Sequence, residues 1–142
     1  MRVVLDTDVV LSAFVSPHGA SRLWLTAALR REVRMLVSVP LALEYEAVLT
    51  RPEHLVRANA SPADAGLLLD AVLRRCERVA ITYLWRPTLR DPDDEMVLET
   101  AVNGGAEWII TFNIDDYAGA ERFGLNVGQP GPAWRHLRDV RP

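Results

Sequence analysis

The sequence predicts an α/β protein with a parallel sheet covered by helices on both faces. Short apolar runs alternate with longer helical patterns along all 142 residues, and each strand candidate is followed by a helix long enough to cross back over a sheet. The chain has no internal repeat and no linker-like tract, so one domain over residues 1–142 is the simplest organisation.

"RVVL" (2–5) reads as a buried strand, and "VVLSAFV" and "ASRLWLTAALRRE" as helices. "RMLVSV" (34–39) is a second strand. "PLALEYEAVLTRP" is a helix with Pro40 in its first turn and Pro52 beyond its end. Residues 61–78 form a long amphipathic helix capped by Ser61, with Pro62 at its first position. "VAITYLW" (79–85) is the third strand candidate. A helix then runs from Asp91, the natural N-cap before Pro92, to a stop at Gly104–Gly105. "EWIIT" (107–111) and "LNVG" (125–128) supply strands four and five, and "PAWRHLRDV" closes the chain as a helix.

Composition removes several chemistries. All 16 basic residues are Arg, so mechanisms requiring a Lys amine are excluded. Cys76 is the only cysteine; it has no disulfide partner and reads as packing, and no Cys/His cluster suggests zinc. His18, His54 and His136 are scattered and read as surface. The formal charge of −3 argues against binding nucleic acid through a global basic field, but not against an enzyme whose positive charge is a metal ion. No signal peptide or membrane span is legible, which predicts a cytoplasmic protein without membrane contact.

In open parallel sheets the functional crevice lies beyond the carboxyl ends of the strands, which directs attention to "DTD" (6–8) and "TFNIDDY" (111–117). Two further acids sit oddly on their helices. Glu44 falls within the apolar stripe formed by Leu41, Tyr45, Val48 and Leu49, and Asp94 heads the stripe of Val97, Leu98, Ala101 and Val102. A carboxylate facing a core must be paired, protonated or bound to a cation. By contrast, Asp91 and Asp93 are explained by the helix dipole. Asp6, Glu44, Asp94 and a member of the 113–116 turn are therefore expected to form one cluster. Oxygen donors without His or Cys suit Mg²⁺ or Mn²⁺, and such a site serves phosphodiester hydrolysis.

These segments resemble the PIN-domain nucleases, and most closely the toxin components of bacterial toxin–antitoxin pairs. "VVLDTDVVLSAFVSP" is similar to the family's opening strand and "DTN" motif. "VSVPLALEYEAVLTRPE" resembles its glutamate segment, and "RDPDDEMVLETAVNGGAEWIITFNIDDY" its later acidic helix and strand-turn. The resemblance covers most of the chain in the family's order. It implies a three-layer α/β/α sandwich around a central parallel sheet of about five strands, and a Mg²⁺- or Mn²⁺-dependent endoribonuclease. Asp6, Glu44, Asp94 and Asp116 would be the metal-site and catalytic acids. It also implies an RNA substrate and a small antitoxin partner; homodimers are frequent in the family, and four Trp and 49% apolar residues are compatible with one. Two positions depart from the pattern: Asp8 stands where the family usually has Asn, and Asn113 where many relatives have Asp. The fourth ligand therefore stays open among Asn113, Asp115 and Asp116. Thr7 and Thr111 are expected to orient neighbouring carboxylates through their hydroxyls, and Arg22, Arg86 or Arg90 to hold phosphates.

Two rivals remain at this level. "LDTDVV" also fits the nucleophile loop of a haloacid-dehalogenase-type aspartyl phosphotransferase, with Asp6 as nucleophile and Asp8 as acid/base. That family wants a Lys, which is missing, and it does not account for Glu44. The other rival is a weakly active PIN-fold binding module, suggested by the departures at Asp8 and Asn113.

Overall fold

The computed structural model describes residues 1–82, 89 and 94–140. Its strands are β1 (Arg2–Leu5), β2 (Arg34–Val37), β3 (Glu77–Arg78), β4 (Trp108–Ile110) and β5 (Asn126–Gly128). All pair in parallel, in the order β3-β2-β1-β4-β5. The helices are α1 (Thr7–Val15), α2 (Ala20–Leu29), α3 (Val39–Leu49), α4 (Pro52–Ala58), α5 (Pro62–Arg75), α6 (Glu95–Gly104) and α7 (Pro130–Val140). They flank the sheet to complete the three-layer α/β/α sandwich, and the continuous apolar character of β1 is what a strand buried on both faces requires.

The strand order locates the crevice. From β1 the chain moves outward to β2 and β3, then returns to the other side of β1 for β4 and β5. The direction reverses between β1 and β4, and Leu5 is in register with Ile110 there. Asp6 and Thr111 consequently leave the sheet side by side at its topological switch point, where ligands bind in open α/β folds. The amide of Asp6 donates to the Ile110 carbonyl at 2.9 Å, fixing that adjacency.

The sequence reading needs three corrections. The third strand is only Glu77–Arg78, pairing Leu36 with Glu77 and Val37 with Arg78, so it lies inside what reads as the end of the long helix. Residues 79–82 are not strand, and 83–85 lie outside the described residues. Helix α4 has no counterpart in the sequence reading: Pro52 reads as a terminator of α3, but it starts the next helix in the position proline favours. Helix α6 starts at Glu95 with Asp94 as its N-cap, three residues beyond the expected cap Asp91, which with Asp93 lies outside the described residues. Its end is as expected, with Gly105 at φ 65°. Gly104 is required by close approach: a Cβ there would meet Leu36 Cδ1 and Val79 Cγ2, each at 2.7 Å.

Two contacts anchor the elements that carry the acids. The buried hydroxyls of Ser38, the N-cap of α3, and Thr100 on α6 lie 2.6 Å apart and lock these two helices together. The buried Tyr45 of α3 donates its hydroxyl to the carbonyl of Leu5, the residue before Asp6.

Candidate active site

Asp6 is both the end of β1 and the N-cap of α1, and only 8% of its surface is exposed. Its Oδ1 accepts from the Thr7 amide at 2.7 Å, and its Oδ2 from the Thr111 hydroxyl at 2.8 Å. Thr111 therefore orients Asp6 as expected, whereas Thr7 does so through its backbone amide rather than its hydroxyl. Burial raises the Asp6 carboxyl above its ordinary range despite these bonds, and Asp116 adds like-charge repulsion.

Asp8 sits in the first turn of α1 and faces the segment after β4. Its Oδ2 accepts from the Phe112 amide at 3.2 Å and from Asn113 Nδ2 at 3.0 Å. The other oxygen, Oδ1, is buried with no hydrogen-bond partner. Burial first, and the charge of Asp6 second, push the Asp8 carboxyl up to about 7. The two departures from the family pattern thus touch each other.

The turn after β4 continues into a 3₁₀ helix, Ile114–Tyr117. Within it Asp116 is half-buried and acts electrostatically on Asp6, while Asp115 is exposed. Asn113 is exposed and spends its amide on Asp8. Tyr117 was missed in the sequence. It is 1% exposed, and Asp6, Asp94 and Asp8 all raise its pKa, in addition to burial. Its hydroxyl lies close enough to interact with Asp6 without forming a well-shaped hydrogen bond. A lone Tyr after three Asx residues gives no periodic signal that it turns inward.

Asp94, half-buried at the start of α6, shares this neighbourhood through Tyr117. Glu44 is half-buried at the edge of its helix stripe and has no hydrogen-bond or ion-pair partner among the described residues. Asp6, Asp8 and Asp94 thus act electrostatically on Tyr117, and Asp116 acts on Asp6, whereas no interaction among the described residues links Glu44 to them. Glu95 and Glu99, also missed, are buried at 1% and 3% exposure; Glu95 Oε1 accepts from the Leu89 amide at 2.7 Å. Their signal was absent because α6 is buried on nearly all sides, so a single-stripe reading identifies only Asp94.

Among the described residues no group of three or more His, Cys, Asp or Glu side chains is arranged to hold a metal ion. In kind, the donors nonetheless fit a hard divalent cation: they are all oxygen, and two of the carboxyls are driven toward protonation by burial and mutual repulsion. A cation relieves that repulsion.

Other side chains have local duties. Arg22 donates from its Nε to the Ala13 carbonyl at 2.7 Å, which ties the side chain to the last turn of α1. Arg86 and Arg90 lie outside the described residues. Burial pushes the Cys76 thiol up to about 12, in keeping with packing. His54 is not free surface: its Nδ1 lies 2.6 Å from the Val48 carbonyl.

The raised Asp8 pKa has a measurable consequence. Its stabilising contribution is fully present below the ordinary value of 3.8 and is lost as pH rises through about 7. Metal-free protein is therefore expected to lose about 1–2 kcal/mol between pH 5 and 8, after discounting for solvent screening of this partly exposed group. Asp8→Asn keeps an acceptor for Phe112 and flattens that slope in urea titrations. An unchanged slope refutes the assignment.

Comparison with known proteins identifies the family and the fold. A PIN domain family model matches residues 2–115. Among solved structures, the fold is similar to a chain in the crystal structure of VapBC2 from Rickettsia felis bound to a DNA fragment from their promoter. The TM-score is 0.61 at 14% identity, over 89% of this chain and 97% of that one. No match was found among curated proteins. With the family model spanning most of the sequence and the sheet order, crevice and acids in place, the chain belongs to the PIN domain family.

Proposed function

We propose that this protein is a Mg²⁺- or Mn²⁺-dependent endoribonuclease, the toxin of a toxin–antitoxin pair, with Asp6, Glu44, Asp94 and Asp116 as its metal-holding acids. The observation that carries the reading is the buried Asp6, held by Thr111 at the sheet's switch point, with Asp8 bonded across the crevice to the turn after β4. PIN membership supports nuclease chemistry, and the likeness to a VapBC2 chain supports an antitoxin partner. No helix of the described residues is long and apolar enough to cross a membrane.

When bound, a divalent cation supplies an activated water and offsets the charge that develops at the phosphate. The chain's own residues do the rest. Asp6 is held by Thr111 and the start of α1, so its carboxylate has one fixed aim. Asp116 is carried by the turn after β4 and Asp94 by the start of α6; Glu44, on α3, would join them through the cation. A carboxylate of this group takes the proton of the attacking water. Among the candidates after β4, Asp116 is favoured over Asp115, which faces solvent, and over Asn113, whose amide is engaged by Asp8. Family membership and the engagement of Asp8 with Phe112 and Asn113 both weigh against the aspartyl-phosphotransferase reading.

The test is cleavage of a single-stranded RNA with Mn²⁺ and with chelator. Cutting only with metal, leaving 3′-hydroxyl ends, is the expected result; cutting in chelator, or 2′,3′-cyclic phosphate ends, overturns it. Metal binding also has a stability signature. At Mn²⁺ a hundredfold above its Kd the gain is about 2.7 kcal/mol, a rise in melting temperature of roughly 5–10 °C for a chain of this size. No shift at millimolar Mn²⁺ favours a binding module.

A further inference from the structure

Beside the acids, a groove of about 220 Å³ runs along α1, with Leu11 and Val15 as its apolar floor, Asp8, Ser12 and Ser16 beside them, and Arg57 of α4 and Phe112 from the turn after β4 as its walls. Phe112 is unusual there. Its amide donates to Asp8 Oδ2 at 3.2 Å and its carbonyl accepts from Gln129 Nε2 at 3.4 Å, so the backbone is held on both sides. The ring nevertheless remains 43% exposed. Arg57 is exposed, and its side chain makes neither ion pair nor hydrogen bond among the described residues.

We infer that this groove is the path of a single-stranded RNA entering the site, with one base stacked on Phe112 and a backbone phosphate paired to Arg57. The inference rests on the ribonuclease reading and adds the residues that seat the strand. An aromatic face offers every base a stacking partner, and a guanidinium neutralises a phosphate bidentately. A chain of net charge −3 with acids at its crevice repels a polyanion, so a local cation beside the acids is needed to hold the strand against that field. Asp8 belongs to both groove and site, which makes the two continuous.

The test uses a fluorescently labelled 12-nucleotide single-stranded RNA and anisotropy, in an Asp6→Asn background that holds the strand without cutting it. Phe112→Ala is expected to weaken binding by about 5-fold to 100-fold, as for loss of one base stack, with Phe112→Trp retaining it. Arg57→Ala is expected to lower the slope of log affinity against log salt by about 0.7, the share of one phosphate on a single strand. Phe112→Ala leaves that slope unchanged. Duplex RNA should compete poorly, since its bases cannot reach the ring.

The proposal is overturned if both alanine variants bind within twofold of their parent, if duplex competes as well as single strand, or if the parent binds no RNA. Failure of the ribonuclease reading is distinguishable. In that case wild-type protein with Mn²⁺ leaves RNA uncut, while the binding comparison still reports on the groove.

Discussion

Asp6→Asn is expected to lower the rate of RNA cleavage at least about 10³-fold while leaving the metal-free protein as stable as the parent or more so. The kinetic loss follows from removing a charged oxygen from the proposed cation site, where such charge compensation is worth several kcal/mol and each 1.36 kcal/mol is a factor of ten. The stability direction follows from burial. The Asp6 carboxyl is raised by desolvation and by Asp116, so its ionised form opposes folding at neutral pH. Asn is the informative replacement because its one oxygen still caps α1, while its Nδ2, standing where Oδ2 was, donates to the Thr111 hydroxyl instead of accepting from it. Ala would confound the result by losing the cap, about 1 kcal/mol. Single-turnover cleavage with Mn²⁺ and urea titration with chelator read the two effects separately. A variant that cuts within tenfold of wild type removes Asp6 from the chemistry.

Trp24→Ala is expected to have the largest effect on stability, about 3–5 kcal/mol. The indole of Trp24 is 1% exposed on α2 and meets Trp134 of α7 edge-on, with centroids 5.2 Å apart. Its Nε1 donates to the Pro130 carbonyl at 2.9 Å, at the start of α7. Truncation opens a cavity, removes the indole's hydrogen bond to that carbonyl and loosens the closing helix. Thermal unfolding should show a fall of roughly 10 °C or more, whereas cleavage per folded molecule at low temperature should persist, since Trp24 lies apart from the acids. A loss below about 1 kcal/mol would mean that α7 is not held through this residue.

The alternation of strands and helices was legible because strands buried on both faces read as unbroken apolar runs, as "RVVL" does. Its failures have local causes. A two-residue strand such as Glu77–Arg78 has no room for a pattern, and its charges extend the amphipathic helix before it. Pro52 both ends one helix and begins another, and sequence alone favours the first meaning. Within the site, Asp6 was readable from strand-end position and Asp94 from its stripe. Glu44 looked inward on a helical wheel but sits at the stripe's edge, half-buried. Tyr117, Glu95 and Glu99 owe their burial to contacts between distant segments, which no local period encodes.

The contact between Asp8 and Asn113 recasts what look like two separate departures from the family pattern. The bond spans the cleft from the first turn of α1 to the turn after β4, and the same Asp8 oxygen also takes the Phe112 amide. One carboxylate oxygen thus clasps both the backbone and a side chain of the opposite wall. The width of the cleft is therefore set at Asp8 as well as by the strands beneath it.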